Sequence, residues 1–200
     1  MKEFAVVGRP NSGKTLFTLN FAGFLNCKKL DITFRSPDGL LNCRHYSLAE
    51  AKKELCSSDR HKTRMIQSTI LKIPVGKTNI SFKMTDTCGV AEEIHSEADI
   101  RRGMAQTLSL LMGCDFIIHI VDVGTSAQEY LHSSGIDQEI SAYGLARNRY
   151  LLLANKMDLP AAHDNLSKIL TAFERAKVLP ISALHSRGFQ EVKAYVARNV

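Results

Sequence analysis

The stretch Gly8-Arg9-Pro10-Asn11-Ser12-Gly13-Lys14-Thr15 narrows the possible folds more than any other part of the chain. It fits G-x-x-x-x-G-K-[ST], a pattern that carries meaning only between a strand and a helix. Both neighbours qualify. Phe4-Ala5-Val6-Val7 reads as a short buried strand, and Leu16 to Ala22 reads as a helix. In such a turn, successive backbone N–H groups and a helix N-terminus converge on one point, which phosphate oxygens fill. Gly8 and Gly13 allow close backbone approach. The expected phosphate clamp is the N–H groups from Asn11 through Ser12, Gly13 and Lys14 to Thr15, with Leu16 counted in the nucleotide-binding set. Lys14 would reach the β- and γ-phosphates, and the Thr15 hydroxyl would ligate Mg²⁺. Taken alone, the motif competes with a chance match in an ordinary strand–loop–helix turn.

The rest of the chain supplies a matching architecture. Met65 to Ile73 and Asn79 to Thr85, separated by the turn Pro74-Val75-Gly76-Lys77, form an expected hairpin. In its second arm Ile80, Phe82 and Met84 alternate with Ser81, Lys83 and Thr85. Asp115 to Val121 is nearly all apolar, as a central parallel strand should be; His119 inside it reads as a core histidine rather than a ligand. Further strands are expected at Tyr150 to Ala154 and Lys177 to Ile181, where Pro180 suggests a sheet edge. Helices are expected at Arg101–Met112, Ile136–Arg147, Asn165–Arg175 and Phe189–Arg198. The sum is an α/β, doubly wound, three-layer domain over residues 1–200, with a six-stranded, mainly parallel sheet and one antiparallel hairpin strand. Residues 34–62 are longer than a plain connector. They include the turn signal at Arg35-Ser36-Pro37-Asp38-Gly39, the capping-box spacing Ser47-Leu48-Ala49-Glu50, and a short helix ended by Ser57-Ser58-Asp59. They read as an insertion or a mobile functional loop. Val90 to Ile100, with Glu92, Glu93, Glu97 and Asp99, reads as an acidic loop entering a helix.

Three more motifs fall at strand C-termini, where ligands of such sheets bind. Asp86-Thr87-Cys88-Gly89 fits D-x-x-G: Asp86 would hold the Mg²⁺ water shell and the Gly89 N–H would meet the γ-phosphate. Asn155-Lys156-Met157-Asp158 fits N-K-x-D. A carboxylate at Asp158 can accept hydrogen bonds from N1–H and the N2 amine of guanine, a pattern adenine lacks, and unmatched buried donors are costly. Lys156 can lay its stem over the base. Ser182-Ala183-Leu184 fits S-A-x, with the Ala183 N–H directed at guanine O6. Order and spacing together imply a guanine nucleotide, GTP or GDP.

Composition excludes a few classes. The net charge of +6 suits an acidic partner such as RNA or an anionic membrane surface, and equally a solvated basic face. No apolar run is long enough to cross a bilayer, and Met1 leads directly into the first strand with no signal peptide. Five cysteines without a C-x-x-C pair read as reduced thiols, hence a cytoplasmic location.

Taken together, G-R-P-N-x-G-K-T, D-x-x-G, N-K-x-D and S-A-x resemble the small P-loop GTPases of the translation-factor-related class. The Pro10-Asn11 pair is similar to the Era/Der/TrmE branch, with the FeoB G domain a relative. The resemblance covers nearly the whole chain. It implies GTP hydrolysis as a molecular switch, Mg²⁺, two switch regions, and partners among ribosomal particles or RNA, with nucleotide-dependent dimerisation as a further option. It also implies a switch I threonine on Mg²⁺. Thr33 and Thr63 are the candidates. Thr63 is favoured because a hairpin brings the start of its first strand beside the end of its second, next to Asp86. Residues 34–62 then form an enlarged switch I. The expected catalytic set is Lys14, Asn11, Thr63 and Gly89. Two positions depart from the pattern: Cys88 replaces the usual proline, and Val90 stands where many GTPases carry a water-orienting glutamine. In K⁺-activated relatives the residue matching Asn11 helps hold potassium against the phosphates; here Asn11 reads either so or as a loop-shaping residue. A nucleotide-gated scaffold with little hydrolysis is the competing reading, and a P-loop kinase or ATPase is disfavoured by Asn155 to Asp158.

Overall fold

The structure is a computed structural model that describes residues 1–36, 38–56, 65–90, 98–124 and 135–200, without the side chains of residues 99 and 100. The chain runs β1 (Glu3–Val7), α1 (Lys14–Phe24), β2 (Lys29–Arg35), β3 (Leu41–Ser47), α2 (Leu48–Leu55), β4 (Ile66–Val75), β5 (Thr78–Asp86), α3 (Ala98–Gly113), β6 (Phe116–Asp122), α4 (Ile136–Ala146), β7 (Tyr150–Asn155), α5 (Ala162–Ala172), β8 (Val178–Pro180) and α6 (Phe189–Asn199).

The strands form one sheet in the order β3-β2-β4-β5-β1-β6-β7-β8. From β5 to β8 every pairing is parallel. At the other edge, β4 with β5, β2 with β4, and β3 with β2 are antiparallel. This corrects the expected six strands to eight and the single antiparallel strand to an antiparallel edge. The two additions, β2 and β3, lie between α1 and the hairpin, where no strand is expected from the sequence and residues 34–62 read as an insertion. β2 alternates cleanly, with Leu30, Ile32 and Phe34 buried and Lys29, Asp31 and Arg35 exposed. β3 has little apolar signature, because an edge strand buries almost nothing; within it only Tyr46 is buried. The expected capping box is present. Ser47 caps α2 through the Glu50 N–H, and the Glu50 carboxylate returns to the Ser47 N–H at 2.8 Å. The helix end expected at Ser57-Ser58-Asp59, Pro37 of the turn, and the acidic residues Glu92, Glu93 and Glu97 lie outside the described residues, as does the Asp99 side chain. The helix expected from Asn165 begins instead at Ala162.

Alternation along β1 divides the core. Phe4 and Val6 face one layer, where Phe17 and Phe21 of α1 pack edge-to-face against Phe189 of α6. Ala5 and Val7 face the other, packed with Leu111 of α3, Ile140 of α4 and Ile169 of α5. Layers on both faces hold the parallel strand ends in one plane, and the motif residues leave the sheet from there.

Candidate functional site

Two glycines of the phosphate loop sit where only glycine fits. Gly8 has φ +146°, and a Cβ there would lie 2.2 Å from the Ile120 carbonyl oxygen; Gly13 has φ +98°, and a Cβ would lie 2.3 Å from Asn155 Nδ2. Between them the loop folds back, with the Ser12 N–H donating to the Arg9 carbonyl at 3.3 Å. Asn11, at its exposed tip, also has a positive φ of 60°. Lys14 is buried and donates to the carbonyls of Gly8 (3.1 Å) and Arg9 (2.7 Å). Burial pushes its ammonium pKa down, against the opposing pull of Asp86. Leu16, one residue further on, is half-buried against the core.

The end of β5 brings the metal-binding chemistry to the same place. Thr15 Oγ1 donates to Asp86 Oδ2 at 2.6 Å. Asp86 is buried, and desolvation pushes its pKa up to about 6 despite the Thr15 hydrogen bond and the Lys14 charge. Its second oxygen, Oδ1, has no hydrogen-bond partner among the described residues; nor do Ser12 Oγ of the phosphate loop and Thr18 Oγ1, whose residue lines one hollow with Thr15 and Asp86. A buried carboxylate with a free oxygen beside a hydroxyl is a donor set that suits a hard divalent cation. Thr15 and Asp86 therefore fit Mg²⁺. The following turn presses on the loop. A Cβ at Gly89 would lie 2.6 Å from Pro10 N, and the Val90 N–H donates to the Gly8 carbonyl at 3.1 Å, with its side chain buried. Cys88 is buried too, which raises its thiol pKa.

Of the two switch I candidates, Thr63 lies outside the described residues. Its strand neighbour Ile66 begins β4, where Gln67 pairs with Asp86, so the start of β4 lies beside the end of β5. Thr33 lies mid-strand in β2, paired with Ser68. It lines a hollow with Glu3 and Lys83, whereas its neighbour Ile32 lines the one that includes Thr15 and Asp86. Alternation thus turns Thr33 away from the phosphate loop.

Asn155, the last residue of β7, bridges the two ends of the cleft. Its Nδ2 donates to the Ser12 carbonyl at 2.8 Å, and its Oδ1 accepts the Ala183 N–H at 2.8 Å. The Ala183 carbonyl in turn accepts from Asn20 of α1 at 2.6 Å. Lys156 adopts a left-handed φ of 71°, and its ammonium is paired with Asp122, the last residue of β6. Asp158 accepts from Ser182 Oγ at 2.5 Å, which holds its carboxyl below the usual range. Ser182 Oγ also accepts the His185 N–H at 3.2 Å, closing the turn. Leu184 is exposed on its rim. Sequence reasoning missed Asn20 and Asp122 as supports. Asp122 had a signal, since it ends a buried strand at the same sheet edge as Asp86 and Asn155. Asn20 had none, being one polar position in a helical run.

No protein-family model matches the chain. GTPase Obg of Shouchella clausii is 33% identical over 124 residues, 58% of this chain and 28% of that protein. GTPase Obg of Desulfitobacterium hafniense is 26% identical over 185 residues, 90% of this chain and 39% of that protein. The chain thus spans well under half the length of these curated relatives. Among solved structures, Aquifex aeolicus Era bound to GDP·AlF4⁻ superposes over 100% of this chain and 57% of its own, with a TM-score of 0.66 and 20% identity. Era in complex with MgGDPNP and nucleotides 1506–1542 of 16S ribosomal RNA covers 99% of this chain and 56% of its own, with a TM-score of 0.66 and 19% identity. The FeoB G-domain from Methanococcus jannaschii covers 100% of this chain and 98% of its own, with a TM-score of 0.54 and 20% identity. The fold of this chain is that of a P-loop GTPase domain. Among the described residues no helix is long and apolar enough to cross a membrane.

Proposed function

We propose that this chain binds GTP and GDP with Mg²⁺ and hydrolyses GTP as a molecular switch. The observation that carries the reading is Asn155, which joins a phosphate loop to a turn shaped for a base. Lys14 and the loop N–H groups would hold phosphates. Thr15 and Asp86 would hold Mg²⁺, Asp86 through water, with Thr63 completing the shell in the GTP state; the ion would neutralise charge developing between the β- and γ-phosphates. Lys14 then trades the Gly8 and Arg9 carbonyls for phosphate oxygens. Gly89, pressed on Pro10, would sense the γ-phosphate through its N–H. Asp158 would accept from guanine N1–H and N2, beside the stem of Lys156 and the Ser182–Leu184 turn. Fluorescent GTP should bind far more tightly than fluorescent ATP, and phosphate should be released. Equal affinity for both nucleotides would refute guanine selection.

Val90 supports a second reading, a nucleotide-gated binding module with little turnover. Its side chain is buried and its N–H is engaged by Gly8, so it cannot orient water. Catalysis would then need help from elsewhere, and Asn11 with K⁺ is the proposed source. Turnover stimulated by KCl over NaCl, and lost in Asn11→Ala, separates the enzyme from the scaffold. An RNA or ribosomal link belongs here also. It is supported by the net charge of +6 and by the Era structure with 16S ribosomal RNA. Co-sedimentation with ribosomal particles in the GTP-loaded but not the GDP-loaded form checks it.

A further inference from the structure

Beneath the phosphate loop runs a line of buried polar groups that nucleotide contact does not require. Arg9 Nε donates to Asp137 Oδ2 at 2.5 Å; Asp137 lies in the first turn of α4 and is 2% exposed. Its other oxygen, Oδ1, lies 2.9 Å from His119 Nε2, and His119 is fully buried in the middle of β6. His119 Nδ1 lies 2.7 Å from the Tyr150 hydroxyl at the start of β7. The network closes with the proton on Nε2: that N–H and the Arg9 N–H both donate to the carboxylate, and the Tyr150 O–H donates to Nδ1. Burial alone would raise the Asp137 pKa, but His119 and Arg9 outweigh it and hold the carboxyl below its ordinary value. Buried polar networks are costly when incomplete. A simpler way to fill this space would be apolar packing, as at Ile117 and Val121 on the same face of β6.

The attachment point gives the network a use. Arg9 is the second residue of the phosphate loop, and its carbonyl accepts both Lys14 Nζ and the Ser12 N–H. Phosphate must draw Lys14 off that carbonyl. What then remains on that residue is the Ser12 N–H at its carbonyl and the Arg9 side chain, anchored on α4.

We infer that Asp137 and His119 are positioning residues for the phosphate loop, and that through Arg9 they make the first turn of α4 respond to whether nucleotide is bound. The inference rests on the guanine-nucleotide reading above. Asp137→Asn is a sharp variant because both partners of the carboxylate are donors, so an amide satisfies one and opposes the other. Arg9→Ala is a milder one, since the Arg9 side chain is partly exposed.

The test uses the whole chain and fluorescent GDP. Arg9→Ala and Asp137→Asn should each speed GDP release by about tenfold, and the double variant should be no faster than either, because both cut one tether. Arg9→Lys should recover part of the loss. In the wild type the assigned His119 Cε1–H NMR signal should move on GDP loading, and the movement should vanish in Arg9→Ala. A network that only stabilises the fold would leave that signal unmoved. If Asp137→Asn does not fold, Arg9→Ala and the His119 signal decide alone. Normal GDP binding with an unmoved His119 signal, or with independent effects that multiply in the double variant, overturns the tether and leaves the nucleotide reading standing. A wild type that binds no guanine nucleotide removes that reading first.

Discussion

The two ends of the cleft are built differently. At the base end nearly every polar group is already fastened to protein. Asn155 holds Ser12 and Ala183, Asn20 holds the far side of Ala183, Ser182 holds Asp158, and Asp122 holds Lys156. At the phosphate end the reverse holds. Among the described residues Asp86 Oδ1, Ser12 Oγ and Thr18 Oγ1 are buried without hydrogen-bond partners, and Lys14 rests on carbonyls of its own loop. On the guanine-nucleotide reading, one end is preorganised for recognition, and the other has polar groups left for a ligand that brings charge. That reading places selectivity in the fold and expects most of the binding energy at the phosphates.

Four substitutions press on this contrast. The largest effect belongs to Lys14→Ala, which should weaken GDP and GTP by about 1000-fold in equilibrium titration while leaving the melting temperature near that of the wild type. A wild-type affinity would mean that the phosphate end is not where binding energy lies. Asn155→Ala should instead damage the fold, by about 3 kcal/mol in urea unfolding of the nucleotide-free protein, because it orphans a buried carbonyl and a buried N–H together. Unchanged stability would show that the base end is not fastened as described. Asp158→Asn should cost roughly 100-fold in GTP affinity and improve binding of xanthine nucleotides, whose C2 carbonyl accepts where guanine donates. Retained guanine preference would move recognition elsewhere. The smallest effect has the opposite sign. Asp86→Asn should stabilise the nucleotide-free protein by about 1 kcal/mol, since it removes a desolvated charge, and should abolish any rise in stability on adding Mg²⁺ with GDP. Destabilisation would mean that the carboxylate is satisfied without a ligand.

The same contrast explains what could be read before the structure. The phosphate loop, D-x-x-G, N-K-x-D and S-A-x are each contiguous in sequence, and each follows a strand whose apolar run or alternation is easy to see. The structure places all four at one edge of the sheet. What stayed hidden was set by neighbours distant in sequence. Asn20 meets Ala183 across 163 positions and Arg9 meets Asp137 across 128, with no local pattern to announce either. His119 was rightly a core residue, but its two hydrogen-bond partners were invisible. β2 carries a legible alternation of Leu30, Ile32 and Phe34, but it is short and runs into the turn signal at Arg35 to Gly39. β3 was not legible, since an exposed edge strand needs no apolar face.

Asn155 makes one amide common to both ends of the cleft. A factor that expels nucleotide has two places to push, the loop at Ser12 or the turn at Ala183, and either push strains the same side chain. Loss of the base and collapse of the phosphate loop should then be a single event. Nucleotide release should follow one exponential, and catalysts of exchange that dock on opposite sides of the domain could converge on the same transition state. In engineering terms the residue would act as a fuse: the cleft should not fail by halves.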